Sequence, residues 1–311
     1  MKIVRFLMVL AIIALMIAFV FSKNNWDAKI EQHSQQSMEN VAQMKSTEAV
    51  VEKEEETETI DETSEGNSED KSEKKTEKKS EESAEGDKSE FYNLLLNQEI
   101  ASIKLLGDGI TAGYGHSAYS APDGGRIIFS GNGETFREAG TEFGSWANEL
   151  RDYVNKPEFG NVDVINAGIR DKTADWAFRN LGGLLKKKED AVVVMIGTDD
   201  RIFSTLEAYE ATMRSLLAEA DKRSEYLIVM SPPPSKENLQ PYAFTMEEID
   251  GVLKKISEEK GYLFISQFNA FREQLANGND YGSLMQTASA NPKDSGYTLI
   301  WKTVQEELGL E

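Results

Sequence analysis

The stretch IKLLGDGITAGYG, residues 103–115, begins as a short apolar run and breaks into a loop with four glycines in nine residues. Four later runs share the apolar, β-branched character: Val162–Ile165 (VDVI), Ala191–Ile196 (AVVVMI), Tyr226–Met230 (YLIVM) and Tyr262–Ile265 (YLFI). Runs of this kind suit strands buried on both faces of a parallel sheet. Helical patterns fill the intervals. Ser204-Thr205-Leu206-Glu207 reads as a capping box before Leu206, Tyr209, Met213, Leu216 and Leu217 at helical spacing. Thr245-Met246-Glu247-Glu248 is a second, leading into Ile249, Val252 and Ile256. A last helix carries Tyr297, Ile300, Trp301, Val304 and Leu308 on one face. Strands alternating with helices predict βαβ units, hence a three-layer α/β domain built on an open, mainly parallel sheet.

That domain takes residues 91–311. The rest of the chain is of a different kind. Residues 51–90 hold 17 acidic and 7 basic side chains, half of the net charge of −20. Residues 23–90 therefore read as a disordered acidic Glu/Lys/Ser-rich linker, too poor in apolar side chains to offset the entropy of ordering. As a flexible tether it spans roughly 50 Å. Residues 1–22 place Lys2 and Arg5 before the uncharged run Phe6–Phe21. As a helix this run reaches about 24 Å, slightly short of a bilayer core of roughly 30 Å. One reading is an uncleaved signal anchor with a cytoplasmic N-terminus and an extracytoplasmic domain. The other is a cleaved signal peptide and a secreted protein. Cysteine is absent, which excludes disulfides and thiolate chemistry. With no basic patch, nucleic acid is not an expected partner.

In an open α/β sheet, ligands sit outside the carboxyl ends of the strands, so the residues just after each strand are the ones to read for function. The first strand is followed by Gly107-Asp108-Gly109-Ile110-Thr111, the second by Asn166-Ala167-Gly168, and the third by Gly197-Thr198-Asp199-Asp200. Ala288-Ser289-Ala290-Asn291-Pro292 leads through Gly296-Tyr297 into the last helix. These four stretches, in this order and spacing, resemble the SGNH (GDSL-like) esterase and lipase family over essentially all of residues 100–310.

The resemblance implies a flavodoxin-like sheet and an esterase cleft, with no cofactor and no metal. Block I of that family reads Gly-Asp-Ser-Ile/Leu-Thr, its serine the nucleophile; here that position is Gly109. The oxyanion glycine of block II falls on Gly168. Block III reads Gly-x-Asn-Asp; Gly197 and Asp200 match, but Asp199 replaces the asparagine that completes the oxyanion hole. Block V reads Asp-x-x-His-Pro; Pro292, Gly296 and Tyr297 match, while Ala288 and Asn291 take the aspartate and histidine positions.

Hydrolysis by that route needs a hydroxyl nucleophile, a base and donors for the oxyanion. Gly109 has no side chain to attack with. Asn291 cannot accept and return a proton near neutral pH, and Ala288 cannot orient a base. An ionised Asp199 is worse than the loss of one donor, itself about 3 kcal/mol. No catalytic set is intact. The cleft candidates are Asp108, Thr111, His116, Gly168, Asp199, Asp200 and Asn291.

Several readings stay open. A relocated base would have to be His116, since no histidine follows it, with Thr111 or Ser117 as the hydroxyl. The plainer reading of His116 is a hydrogen-bonded loop residue. Asp108, Asp199, Asp200 and Asp294 form either a hard-cation cluster or, more plainly, acceptors for loop amides. The long segment 116–146, with Arg126, Arg137, Phe129, Phe143 and Trp146, either meets sugars or packs as core. The leading expectation is a membrane-anchored, hydrolytically inactive SGNH-like protein holding cell-wall or secreted polysaccharide in a vestigial cleft. The alternatives are an active carbohydrate O-acetyl esterase or acyltransferase with unconventional residues, and a non-catalytic scaffold for envelope proteins.

Overall fold

The computed structural model describes residues 90–141 and 143–310. The segments read as anchor and linker lie outside the described residues. Among the described residues, no helix is long and apolar enough to cross a membrane.

In chain order the elements are α1 (Glu90–Leu96), β1 (Ser102–Gly107), four short strands β2 (Tyr119–Ser120), β3 (Ile127–Gly131), β4 (Glu134–Arg137) and β5 (Gly140–Thr141), then α2 (Trp146–Val154) and β6 (Asp163–Gly168). There follow α3 (Ala174–Arg179), α4 (Leu181–Leu184), β7 (Glu189–Met195), α5 (Asp200–Phe203), α6 (Leu206–Lys222) and β8 (Ser224–Ser231). The chain closes with α7 (Met246–Lys260), β9 (Leu263–Ser266), α8 (Gln267–Ala276), α9 (Tyr281–Leu284) and α10 (Asp294–Leu308).

All five expected strands pair in one parallel sheet, in the order β6-β1-β7-β8-β9. The chain leaves β1 toward β6 on one side and later reaches β7 on the other. That reversal opens a crevice at the carboxyl ends of β1, β6 and β7. Alternate strand residues feed two cores. Leu106, Val192, Val194 and Val229 pack under α3, α4, α6 and α7. Ile103, Leu105, Val193 and Ile228 pack under α1, α2, α8 and α10. The apolar runs lack alternation because both faces are covered. Lys104 on β1 is a buried charge within these runs, a lysine whose pKa is lowered by desolvation, against the pull of Glu189.

Two expectations need correction. The cap before α6 is Thr205, whose side chain accepts from the Ala208 amide; Ser204 instead donates to the Thr205 carbonyl. The box at Thr245 forms as expected, with Glu248 reaching back to the cap. Segment 116–146 is not a plain loop, since β2 pairs with β5 and β3 with β4. Its Phe129 and Trp146 are core, Arg126 is paired with Asp163, and Arg137 donates to the Gly125 carbonyl. Phe143 is exposed.

Candidate functional site

The loops at the strand ends are stitched together by the residues that match the family blocks. Gly107 and Gly168 face each other across the β1–β6 register. A Cβ on Gly107 would sit 2.0 Å from Thr111 Oγ1, and one on Gly168 would sit 2.3 Å from the Ala112 amide nitrogen. Only glycine lets the loop after β1 fold back so closely over the sheet. Thr111 Oγ1 then donates to the Met195 carbonyl at 3.0 Å, tying that loop to β7. Asp108 accepts from the Ile110 amide through Oδ1 and from the Thr198 amide through Oδ2. Asp200 accepts from the Ala174 amide through both oxygens at 3.1 Å, holding the start of α3. The Tyr297 hydroxyl reaches back from α10 to the Tyr114 carbonyl at 2.9 Å. Burial raises the pKa of both Asp108 and Asp200, against the hydrogen bonds they accept.

Inside this frame lies a cleft of about 260 Å³, and the replaced positions converge on it. Gly109, Asp199, Ala288 and Asn291 all line it, together with Asp108. A Cβ built on Gly109 would lie 3.6 Å from Arg170 Cγ and from Tyr114 Cβ, ordinary contact distance. A Cβ therefore fits at the nucleophile position, which holds no side chain. The Asn291 amide group donates to Ser289 Oγ, which in turn donates to Gln286.

The other expected site residues stand apart from the cleft. Thr111 and Asp200 belong to the frame. Gly168 does not line the cavity, and its N–H is spent on Asn166 Oδ1 at 2.9 Å. The oxyanion donor that the resemblance implied at Gly168 is thus already engaged. His116 is buried outside the cleft. Its Nδ1 accepts from the Ala118 amide, and its Nε2 lies 3.8 Å from Asp294. The Ser117 hydroxyl donates to Asp294 at 2.5 Å, not to the imidazole, and this bond holds the Asp294 carboxyl below its usual range. Ser117, His116 and Asp294 make a loop clamp rather than a nucleophile and its base. The four aspartates do not gather as a cation site either. Among the described residues, no group of three or more His, Cys, Asp or Glu is placed to hold a metal ion.

Two walls were not read from the sequence. Arg170 stacks over Tyr114, 4.1 Å from the ring centroid, beside Asp171, which holds a left-handed φ of 61° at the rim. Opposite stands the loop after β8, which contributes Leu239, Gln240 and Tyr242. Arg201 pins that loop. Its side chain has no exposed surface, donates to Ser235 Oγ at 2.7 Å, pairs with Glu237 at 3.0 Å and stacks on Tyr242. The strand-end rule applied to β8 points to this loop; nothing in its composition does.

Residues 105–299 match the GDSL-like Lipase/Acylhydrolase family. The chain belongs to that family. It is similar to an acetylxylan esterase of Geobacillus stearothermophilus, with 31% identity over 220 residues, covering 67% of this chain and 93% of the esterase. Among solved structures it is similar to a mutant of Axe2, an acetyl-xylooligosaccharide esterase from Geobacillus, at 25% identity and a TM-score of 0.54. That match covers 68% of this chain and 95% of the other. It also shares the fold of LAE5, an alpha/beta hydrolase enzyme from the metagenome of Lake Arreo, at 20% identity and a TM-score of 0.52 over 68% and 95% of the two chains. The fold is thus that of the family's carbohydrate esterases.

Proposed function

We propose that this chain is a non-hydrolysing member of the family that binds O-acylated glycan of the cell wall or of a secreted polysaccharide in its cleft. One observation carries the reading. The cleft brings Gly109, Asp199, Ala288 and Asn291 together, and no imidazole of the described residues lines it. A hydroxyl without a base is a weak nucleophile, and Gly109 does not supply even the hydroxyl. What the cleft keeps is shape: apolar Ile110, Ile202 and Leu239 beside polar Gln240 and Asn291. Such a mixture suits a sugar carrying an apolar substituent. The esterase relatives act on acetylated xylan, which supports an acylated sugar as the ligand class.

The same proposal places the domain outside the cell on the run Phe6–Phe21, with the acidic linker as spacer. Protease added to intact cells should release a stable fragment beginning near Glu90; accessibility only after lysis would contradict export. The binding reading is tested by titrating the full chain with acetylated xylooligosaccharide while following acetate release. Saturable binding without acetate release is expected. Robust release by the unmodified chain would overturn it.

A further inference from the structure

Asp199 is the one carboxyl in the cleft without a hydrogen-bond or ion-pair partner among the described residues. Its neighbours are all committed. Asp108 accepts two backbone amides, and Asp200, next in the chain, turns away to the Ala174 amide. Asp171 pairs with Arg170 at 3.3 Å. The two cations facing Asp199 are engaged as well, Arg170 with Asp171 and the Tyr114 ring, and Arg201 with Glu237 and the Tyr242 ring. Asp199 is therefore a partly buried carboxyl among carboxylates with no cation of its own.

We propose that Asp199 meets its ligand as a carboxylic acid, donating its proton to the carbonyl oxygen of an acyl group, so that the cleft takes neutral O-acylated sugars rather than amines. The inference rests on the glycan-binding reading above and adds the group that recognises the acyl substituent. Geometry supports it on both sides of the acyl group. Gly109 lines the same cleft as Asp199 and adds no side chain to it, and Ile110, Ile202, Leu239, Ala288 and Ala290 give the methyl end an apolar wall. An acid O–H facing an acceptor makes a hydrogen bond that the ionised form cannot make. Burial first, then Asp108 and Asp171, push the Asp199 pKa up to about 7, while Arg201 and Arg170 pull the other way. The acid form thus persists toward neutral pH.

The test is calorimetric titration of the full chain with acetylated xylooligosaccharide and with its deacetylated counterpart, from pH 5.5 to 8.5. Affinity for the acetylated ligand should be level below pH 7 and fall toward tenfold per pH unit above it, as one linked proton requires. The deacetylated ligand should bind more weakly throughout. Asp199→Asn, whose amide donates at every pH, should remove the pH dependence, and Asp199→Ala should lower acid-side affinity about tenfold. Affinity that is flat or rises with pH in the unmodified chain would overturn the proposal and point to the ionised carboxylate and a cationic ligand. Absence of binding by both oligosaccharides at every pH would instead overturn the glycan reading, and this inference with it.

Discussion

The residues that match the family blocks and the residues that depart from them do different work in this molecule, although Asp108, which matches, lines the cleft as well. Asp108, Thr111, Asp200 and Tyr297 match, and each spends its polar atoms holding one loop to another. Gly109, Asp199, Ala288 and Asn291 depart, and each faces the cavity. The frame is a folding requirement, since every lost bond would strand a buried amide or carbonyl. The replaced side chains hold no amide or carbonyl of another loop among the described residues, so chemistry can change there while the fold persists. A motif match therefore reports on the frame, and only the side chains that face the cavity report on activity.

The largest expected effects lie in the frame. Asp200→Ala leaves the Ala174 amide unpaired at the buried start of α3, and Gly168→Ala drives a methyl into the backbone of Ala112. Each should lower unfolding free energy by about 3 kcal/mol. Chemical denaturation measures this; losses below about 1 kcal/mol would break the distinction between frame and cavity.

Asp199→Asn should do the opposite. The folded-state pKa of Asp199 is raised, so its acid form is the one the fold favours. Its contribution is fully present below the unfolded value of 3.8 and is lost as pH rises through about 7. An amide does not ionise. The variant should therefore nearly match the parent near pH 4 and exceed it by a few kcal/mol at pH 8. Equal gains at both pH values would contradict this account of the Asp199 environment.

Arg201→Met tests the wall. It removes the donors to Ser235 and Glu237 while keeping an unbranched apolar side chain. Stability should fall by about 2 kcal/mol, and limited proteolysis should cut faster at Lys236. An unchanged cutting rate would mean that the loop stands without the arginine.

The smallest effect belongs to the nucleophile position. Gly109→Ser meets only ordinary contacts, so its stability should stay within about 0.5 kcal/mol of the parent. A larger loss would show that the cleft has closed over the missing side chain.

Much of this contrast was legible in the sequence. The five apolar runs fix the parallel sheet because strands buried on both faces admit no polar alternation. Gly109 and Asp199 line the cleft as their strand-end positions imply, and Ala288 and Asn291 join them as the family resemblance implies. Gly168 was legible as a family position but not in its role, because its fate depends on Asn166 two residues earlier taking its N–H. The wall from 232 to 244 was hidden for a related reason. Its placement depends on a buried Arg201 forty residues from Tyr242, and periodicity carries no sign of such a contact. His116 invited a relocated base from its position alone, whereas the Ala118 amide on its Nδ1 gives it a structural task.

The central claim is that an intact frame surrounds a cavity stripped of its chemistry. It is tested most directly by acetyl-ester turnover in the parent chain, in Gly109→Ser, and in the joint variant Gly109→Ser, Asp199→Asn, Ala288→Asp and Asn291→His. Groups that act as a catalytic unit are not additive, so the parent and the single variant should both stay at background. The joint variant, with nucleophile, donor, orienting carboxylate and base restored in one cleft, should gain measurable turnover. Turnover by the parent that disappears in His116→Ala or Ser117→Ala would contradict the account, as would a joint variant that folds normally and remains inert.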